Sequence, residues 1–452
     1  MRLRKTITTI VATAILLAGW QLFAVIANQP ELIPSLPRLV RTLCEWLVSG
    51  SFYQSVGATI LRGILGMSIS FVCAIGMAGL FVRFEWVYEL FRPLLAIMRS
   101  IPVISFILLA LIFLNPESIP LMIAFLTMFP LLTENLTRGI LDLRPGLSIM
   151  ARQFHIKRSN VLFQIIYPQL KPFLYSGLAS AAGFGWRAII MGEVLSQCAF
   201  GIGSEMKRAQ NFIAVPELLA WTIVAVFISF FFDKGISKVT DITPKISFAN
   251  EDQTIPTPTL SVLDTKDISY QYGIQHFSHS FQKGIIYGIS APSGKGKTTL
   301  LNLIGGILLP TEGEIHPTRH FGIATIFQQP QLLPYLTAEE NIILPLSSFL
   351  TEEKARRIAQ KHLQEMEMEP FGNRYPKELS YGQQQRIAIA RALAYPSPLL
   401  LMDEPFKGLD EALSHRIIER IREKQMKEER IILFTSHNPD EIRLLADEVI
   451  YL

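Results

Sequence analysis

One stretch of the sequence has the residue types and spacing of a phosphate-binding loop. Between Gly288 and Thr299 it reads Gly-Ile-Ser-Ala-Pro-Ser-Gly-Lys-Gly-Lys-Thr-Thr. Glycines let backbone N–H groups turn inward around phosphates, Lys297 can reach the terminal phosphates, and Thr298 offers a hydroxyl to Mg²⁺. Against the pattern G-x-x-x-x-G-K-[ST], Ala291 stands at the first glycine. We predict a phosphate site formed by Ser293, Gly294, Gly296, Lys297, Thr298 and Thr299.

A pair of carboxylates lies further along the chain. The apolar run Leu399-Leu400-Leu401-Met402 is followed directly by Asp403 and Glu404. At the C-terminal edge of a sheet, Asp403 can hold Mg²⁺ through water and Glu404 can polarise an attacking water, two functions that phosphoryl transfer needs. An apolar run followed by Asp-Glu is more often an ordinary strand end. The preceding phosphate loop is what favours the catalytic interpretation.

These groups need strands and helices that bring them to one place. A β-rich run over 285–289 leads into the phosphate loop, and an apolar helical pattern over 300–304 leaves it. From Ser261 onward, short β-rich runs alternate with helical patterns. This alternation predicts an α/β domain over 261–452.

The first half of the chain differs in composition from the second. Residues 1–240 hold 20 Lys and Arg and 11 Asp and Glu, whereas residues 241–452 hold 22 and 27. The first half therefore reads as membrane-embedded and the second as soluble. Their net charges, +9 and −5, disfavour a uniformly basic nucleic-acid binder. Three scattered cysteines, Cys44, Cys73 and Cys198, indicate neither a disulfide framework nor a metal site.

Apolar runs in the first half predict six membrane spans, at 6–27, 56–82, 90–114, 119–136, 173–195 and 212–232. The first run could instead be a secretory signal, but it is longer than the usual signal core. With six spans, thirteen Lys and Arg fall on one side and four on the other, which places the N-terminus and the second half in the cytoplasm. We predict an all-α transmembrane domain over 1–233, a linker over 234–260 and the α/β domain after it.

A third motif stands between the phosphate loop and Asp403. It reads Leu-Ser-Tyr-Gly-Gln-Gln-Gln-Arg over 379–386 and resembles the LSGGQ signature of ATP-binding cassette (ABC) ATPases. Other cassette motifs match in order. The segment 327–330 resembles the Q-loop, 408–410 the D-loop and 435–437 the switch histidine motif. Tyr272 stands where the family places its adenine-stacking aromatic residue, and Tyr270 is the alternative. The resemblance covers essentially the whole second half.

The resemblance implies a mechanism in which two cassettes close head to tail. ATP then lies between the phosphate loop of one chain and the signature of the other, with Ser380 and Gly382 facing the γ-phosphate. By the same resemblance, the catalytic residues are Glu404, His437 and Gln328, the Mg²⁺-binding residues are Thr298, Gln328 and Asp403, and the ATP-binding residues outside the phosphate loop are Tyr272, Ser380, Gly382 and Gln383.

Two departures from the family pattern lie close to the expected nucleotide. Tyr381 replaces the first signature glycine, and Lys407 and Gly408 replace the Ser-Ala that usually precedes Leu-Asp. Either departure could slow hydrolysis. The retained Lys297, together with the carboxylates and the histidine named above, implies a working ATP hydrolase that uses ATP and Mg²⁺.

The membrane half resembles permeases of binding-protein-dependent ABC importers, most closely the nitrate/sulfonate/taurine type. The segments 146–155 and 165–168 resemble the cytoplasmic loop with which those permeases dock into a cassette groove. Ala151 and Pro168 fit that loop pattern, whereas Ile149 and Met150 stand where glutamate and alanine are expected, and His155 stands at an expected glycine. An ordinary amphipathic loop helix is the alternative.

Several charged residues fall within or near the predicted spans. Intramembrane charge is costly and often lines a translocation pathway, which makes Arg99, Arg187 and Glu193 candidates for it. For Arg62 and Glu134, snorkelling to the interface is the plainer interpretation.

The whole chain then resembles a fused half-transporter of the bacterial cytoplasmic (inner) membrane, multi-pass, with its ATPase domain in the cytoplasm. The implied function is ATP-driven uptake of a small organic solute or anion of the nitrate, sulfonate, taurine or thiamine-precursor class. The implied partners are a second copy of the chain, a separate extracellular or periplasmic solute-binding protein, a small-molecule substrate and membrane lipid, but no nucleic acid. Two alternatives remain: an ABC exporter half-transporter, and a hydrolysis-impaired ATP-sensing membrane factor.

Overall fold

The computed structural model describes residues 2–240, 244–253, 260–271, 273–292, 294–317 and 322–452, with the side chains of residues 2–6, 9, 10, 239 and 240 excepted. The described chain divides into two compact units. The first comprises Met1–Leu143 and Gln169–Ile242, and the second comprises Arg144–Pro168 and Thr243–Leu452. The predicted domain limits at 233 and 260 stay predictions.

The first 240 residues are helical wherever regular structure is described. In chain order the helices are α1 (Arg2–Ala27), α2 (Leu36–Trp46), α3 (Gly50–Arg83), α4 (Glu85–Ser100), α5 (Val103–Phe113), α6 (Ile119–Leu141), α7 (Pro145–Gln153), α8 (Arg158–Asn160), α9 (Tyr167–Ser196), α10 (Ile202–Asn211) and α11 (Val215–Thr240). A 3-10 turn (Pro116–Ser118) precedes α6, and a π-helical segment (Val161–Ile166) joins α8 to α9.

Among the described residues, four helical segments are long and apolar enough to cross a membrane: Gly50–Arg83, Pro116–Leu141, Arg158–Ser196 and Val215–Lys238. Helices α4 and α5 make a fifth if they count as one span, although they are bent by 96°. The apolar part of α1, Val11–Ala27, is shorter. The predicted total of six spans is therefore not confirmed.

The span predicted over 90–114 is broken in the structure, because the chain turns sharply between α4 and α5. Ile101 leaves the helical conformation, with φ −71° and ψ 131°. The cause is Pro102, which has no N–H to donate and disfavours a helical conformation in the residue before it. The two helices are still apolar, so the stretch keeps its membrane character.

Among its described residues, the second unit contains two sheets and six helices in the part of the chain that follows Thr243. The strands are β1 (Val262–Tyr270), β2 (Ile274–Gln282), β3 (Ile286–Ser290), β4 (Glu312–His316), β5 (Ala324–Ile326), β6 (Leu399–Asp403), β7 (Ile431–Thr435) and β8 (Glu448–Tyr451). The helices are α12 (Lys297–Ile304), α13 (Ala338–Leu346), α14 (Glu352–Glu365), α15 (Tyr381–Ala394), α16 (Glu411–Glu428) and α17 (Pro439–Leu445), with 3-10 turns at Glu369–Phe371 and Pro376–Glu378.

The larger sheet of this unit positions the candidate site. Its five strands lie parallel in the order β5-β6-β7-β3-β8, while β2, β1 and β4 form a separate antiparallel sheet. All five residues of both β6 and β7 are buried, as expected for central parallel strands covered on both faces. Their carboxyl ends meet at one edge, where Asp403 pairs in register with Thr435. The predicted α/β fold is confirmed.

Helix α7 belongs to the hydrophobic core of the second unit. Leu147, Met150 and Phe154 are buried in the same cluster as Ile343 of α13 and Ile389 of α15. This packing agrees with the docking that the family resemblance implies for the loop. The Met150 side chain is fully buried in this cluster.

Hydrogen bonds hold the rest of the segment Arg144–Pro168, which we call the docking segment. Gln153 Nε2 donates to the carbonyl of Gly305 over 2.7 Å, and Asn160 Nδ2 donates to the Ser347 hydroxyl over 2.8 Å. His155 has a φ of +47°, in the left-handed region that favours glycine. The family's glycine at this position therefore has a conformational reason, and histidine adopts the same conformation here.

Part of the predicted linker packs against the second unit. The N–H of Ala249 bonds to the carbonyl of Leu350, and that of Gln253 bonds to the carbonyl of Phe349. Phe248 is half-buried against the main core cluster. This part of the segment 234–260 is therefore attached along the unit rather than freely exposed.

Candidate active site

The predicted phosphate loop connects β3 to α12. Gly294 and Gly296 have φ values of +80° and +90°, so both positions require glycine. Lys297 is buried, and its Nζ donates to the carbonyl of Ala291 over 2.6 Å. Thr298 and Thr299 follow in the first turn of α12. The strand–loop–helix context predicted from the sequence is confirmed.

A hydrogen-bond network joins α12 to the ends of β6 and β7. Thr298 Oγ1 donates to Asp403 Oδ2 over 2.8 Å, and Thr435 Oγ1 donates to Asp403 Oδ1 over 2.8 Å. The N–H of Glu404 in turn donates to Thr435 Oγ1 over 3.0 Å. Both carboxylate oxygens of Asp403 are therefore held in place.

This donor set fits Mg²⁺. A hydroxyl and a carboxylate are hard oxygen ligands, and Mg²⁺ is usually bound by one or two carboxylates together with waters and substrate phosphates. Within the described residues, no three or more His, Cys, Asp or Glu side chains are grouped so that they could hold a metal ion. Of the residues that the sequence suggests for Mg²⁺, Thr298 and Asp403 are in direct contact here.

Three side chains converge on the carboxylate of Glu404, which is only 15% exposed. Gln328 Nε2 lies 3.4 Å from Oε1, and His437 Nε2 lies 3.1 Å from the same oxygen. Lys407 Nζ lies 3.3 Å from Oε2. The family resemblance names Gln328 and His437 as catalytic residues together with Glu404, whereas Lys407 enters only as a departure from the family pattern.

The signature residues form the N-terminus of α15. Ser380 Oγ accepts a bond from the N–H of Gln383 over 3.3 Å, and the N–H of Ser380 donates to Gln383 Oε1 over 2.9 Å. This capping box leaves the positive end of a 14-residue helix at Ser380. Neither the Ser380 side chain nor the Gln383 side chain forms a hydrogen bond with Lys297 or Thr298 in the described structure.

The departures from the family pattern contact one another. The ring of Tyr381 lies against Gly408, where an added Cβ would be only 2.8 Å from Tyr381 Cδ1. The Tyr381 hydroxyl donates to the carbonyl of Gln328 over 2.8 Å. Burial raises the pKa of Tyr381, the nearby Glu404 raises it further, and Lys407 lowers it. Tyr381, Lys407 and Gly408 therefore form one group of contacts beside Glu404.

A close approach also fixes Gly382. A Cβ there would lie 2.6 Å from the carbonyl oxygen of Gly408. The signature and the segment after Glu404 are thus packed backbone to backbone. Two further predicted nucleotide-binding residues, Tyr272 and Ser293, lie outside the described residues.

A buried arginine links the docking segment to the segment that carries Gln328. Arg391 donates to the carbonyls of Pro330 and Gln331 over 2.9 and 2.8 Å. Its guanidinium lies 5.4 Å from the centre of the Phe154 ring. Burial lowers the pKa of Arg391 to about 9. The sequence contains no motif that singles out this residue.

The sequence analysis also misses Thr435, although this residue belongs to the switch histidine motif at 435–437. The parallel register of β6 and β7 places Thr435 directly beside Asp403. Knowing that both strands end at the same sheet edge is the signal that would have found it.

Two family models match this chain. Residues 274–407 match the model described as "ABC transporter", and residues 66–233 match "Binding-protein-dependent transport system inner membrane component".

Among curated proteins, an uncharacterized ABC transporter ATP-binding protein of Methanocaldococcus jannaschii is 34% identical over 201 residues, which cover 40% of this chain and 85% of the relative. A Fe(3+) ions import ATP-binding protein of Rhizobium etli is 35% identical over 189 residues, 40% of this chain and 54% of the relative. A glucose import ATP-binding protein of Saccharolobus solfataricus is 35% identical over 185 residues, 38% of this chain and 52% of the relative. The chain spans about half the length of these two import proteins.

Among solved structures, a dimeric post-hydrolysis state of an ATP-binding cassette bound to ADP and Pi is 32% identical, with a TM-score of 0.40. The match covers 42% of this chain and 94% of that one.

Proposed function

The chain belongs to the ATP-binding cassette (ABC) transporter family, and from that premise we propose that it is a half-transporter whose homodimer imports a small solute at the expense of ATP. Its second unit is an ATP hydrolase of the kind coupled to transport. Its first unit supplies the membrane helices of a binding-protein-dependent permease. The chain is therefore a multi-pass membrane protein with a cytoplasmic ATPase.

The observation that carries the proposal is the convergence of Gln328 and His437 on the Glu404 carboxylate. In the proposed reaction, Glu404 orients and polarises the attacking water, and His437 contacts the γ-phosphate. Lys297 and the N–H groups of its loop hold the terminal phosphates. Thr298 and Asp403 would hold Mg²⁺, together with Gln328 as the family resemblance implies, and the ion would neutralise phosphate charge.

The signature supports a site shared between two chains. Ser380 and Gln383 cap the start of α15 and make no hydrogen bond to Lys297. The positive end of that helix is suited to bind a phosphate. We propose that Ser380, Gly382 and Gln383 face ATP held by the second copy, so that the homodimer has two equivalent sites.

For the membrane half, the match over 66–233 favours import over the exporter alternative, because that model describes a binding-protein-dependent component. We propose a separate solute-binding protein as partner and the bacterial cytoplasmic membrane as location. The proposed substrate is a small organic solute or anion of the nitrate, sulfonate, taurine or thiamine-precursor class, supported by the sequence resemblance of the permease motifs.

The test is Mg²⁺-dependent ATP hydrolysis by the single polypeptide in lipid nanodiscs. Glu404→Gln removes the negative charge that polarises water, so we expect ATP to stay bound while turnover is abolished. The matched control is Glu411→Gln, the same change at an exposed carboxylate in the first turn of α16, which should hydrolyse ATP at the wild-type rate.

The outcomes separate the candidate functions. Undiminished hydrolysis by Glu404→Gln would contradict the assignment of Glu404 as the water-polarising group. A wild-type protein that binds ATP without any turnover would contradict the proposal and favour the ATP-sensing factor.

A further inference from the structure

The first unit contains a cavity of about 850 Å³. Side chains of α9 and α11 form most of its wall, and α5 and α10 contribute one residue each. The lining is mainly apolar, with the aromatic rings of Trp186, Phe230 and Phe232 among it. Its volume falls within the range of ligand pockets, which are mostly apolar with a few polar groups that orient the ligand.

Two groups of charged residues near the spans of this unit are neutralised by ion pairs within the group. Glu193 is fully buried and accepts bonds from Arg62 over 2.7 Å, from Thr59 Oγ1 over 2.9 Å and from the N–H of Gly203 over 2.9 Å. Arg62 also bonds to Glu117 over 2.7 Å. This network leaves the Glu193 carboxylate no free position for a solute.

Arg99 is likewise satisfied. It is paired with Glu134, which also bonds to Arg138 one helical turn later. Of the three residues that the sequence suggests for the translocation pathway, two are therefore occupied by protein partners.

Arg187 differs from both, because its guanidinium is exposed and lines the cavity. No described residue forms a hydrogen bond or ion pair with it. It lies nine residues before the end of α9 at Ser196, or about 14 Å along the helix axis. An unpaired guanidinium facing lipid at such a depth is costly, so residues of this kind face a bundle interior or a water-filled cavity.

We propose that this cavity binds the transported solute and that the solute is a small amphipathic anion, whose acidic group is bound by Arg187 and whose apolar body lies against the aromatic wall. The planar guanidinium suits carboxylate, sulfonate or phosphate oxygens through paired hydrogen bonds. Asp233 is the other charged lining residue, and its carboxylate disfavours a second negative charge on the ligand. This inference rests on the proposed import function.

The probe is hexane-1-sulfonate, titrated calorimetrically into the full chain in phosphatidylcholine nanodiscs, with empty nanodiscs as the blank. Hexylammonium has the same chain and the opposite charge. We expect the sulfonate to bind, hexylammonium to bind at least tenfold more weakly, and Arg187→Gln to weaken sulfonate binding at least tenfold. Arg187→Lys keeps the charge but loses the paired hydrogen bonds, so its affinity should lie between those of the wild type and Arg187→Gln.

The control variant is Arg92→Gln, the same substitution in α4 at an arginine outside the cavity lining. It should bind the sulfonate with wild-type affinity. The inference is overturned if Arg187→Gln and Arg92→Gln bind equally well, or if hexylammonium binds as tightly as the sulfonate. It is also overturned if anionic phosphatidylglycerol in the nanodisc displaces the sulfonate, since the occupant would then be lipid.

The measurement needs no ATP. If ATP turnover is normal but binding does not distinguish the sulfonate from hexylammonium, or the wild type from Arg187→Gln, the cavity assignment alone is contradicted. An inactive ATPase that still binds the sulfonate through Arg187 would contradict the proposed import function alone.

Discussion

At the residue scale, Tyr381 and Gly408 act as a pair rather than as two separate departures from the family pattern. Gly408 has a φ of +79°, and the Tyr381 ring occupies the space where a side chain at 408 would begin. A large residue in the signature is accommodated because its neighbour has no Cβ. The ring in turn carries its hydroxyl to the carbonyl of Gln328.

We expect Gly408→Ala to lower ATP turnover by about tenfold, which corresponds to about 1.4 kcal/mol. The new methyl group would lie 2.8 Å from Tyr381 Cδ1, so the ring must shift away from Gln328. Steady-state hydrolysis in nanodiscs measures the effect. Gly284→Ala is the matched control, because it has a similar φ of +87° and nothing within 4 Å of the added Cβ.

If Gly408→Ala behaved like Gly284→Ala, backbone strain alone would explain both variants and the contact with Tyr381 would be unimportant. A second check uses Tyr381→Ala in the Gly408→Ala background. Removing the ring should restore part of the lost turnover only if the clash is the cause.

The sequence predicts the chemical groups of the site better than their contacts. Lys297, Thr298 and Asp403 belong to motifs that state both residue type and spacing, and the parallel sheet brings them together. The pairing of Lys407 with Glu404 depends on the direction of two side chains after a strand end. No linear pattern contains that direction, and the roles of these residues stay predictions.

At the scale of elements, α7 is tied to the site through the buried Arg391. Phe154 stacks edge-on against Tyr395, with ring centres 5.1 Å apart, and covers the Arg391 guanidinium. Arg391 in turn holds the carbonyls that follow Gln328 in the chain. A displacement of α7 is therefore expected to reach the candidate active site through three contacts.

We expect Phe154→Ala to lower the free energy of unfolding of the second unit by about 3 kcal/mol, because a fully buried ring is lost and a cavity is left. Hydrogen exchange of the β6 and β7 amides measures this in the full chain. Phe163→Ala is the control in the same segment, since that ring is 47% exposed and its loss should change the free energy by less than about 0.5 kcal/mol. Equal exchange in the two variants would show that α7 is only superficially attached.

Hydropathy predicts most elements of the first unit but not where the chain changes direction. The run 90–114 is apolar throughout, so its composition suggests one span, yet Pro102 divides it into α4 and α5. The proline was visible in the sequence. Its consequence was not, because proline is tolerated within other helices of this chain, such as α6 with Pro130.

At the scale of the whole molecule, the proposed shared site makes a quantitative prediction. Lys297→Ala removes one half of each ATP site, and Ser380→Arg blocks the other half. Each variant alone should be inactive. If the two variants are mixed one to one before reconstitution, half of the dimers are heterodimers. Each heterodimer has one ATP site with both halves intact and one site with both halves altered.

We therefore expect the mixture to recover about a quarter of the wild-type hydrolysis sites. Mixing Lys297→Ala with Glu404→Gln is the matched control, because both changes affect the same half of the site and no intact site can form. Hydrolysis rates of the purified mixtures test the idea. No recovery in the first mixture, or equal recovery in both, would contradict a head-to-tail homodimer.

The difference in charge content between the two halves predicts the broad plan of the molecule. An apolar helical unit and an α/β unit are both present. The exact division was not predictable, since Arg144–Pro168 lies between membrane helices in the chain and yet folds with the second unit. That assignment depends on long-range packing of residues such as Met150 and Phe154.

This assignment has a practical consequence for anyone who isolates the ATPase by itself. A fragment that starts after the linker lacks Leu147, Met150, Phe154 and the other docking residues, so it leaves the apolar surface they cover open to water. Such a surface is an aggregation liability. A soluble preparation is better served by adding a peptide of residues 144–168 in trans, or by grafting that peptide onto the fragment through a flexible tether.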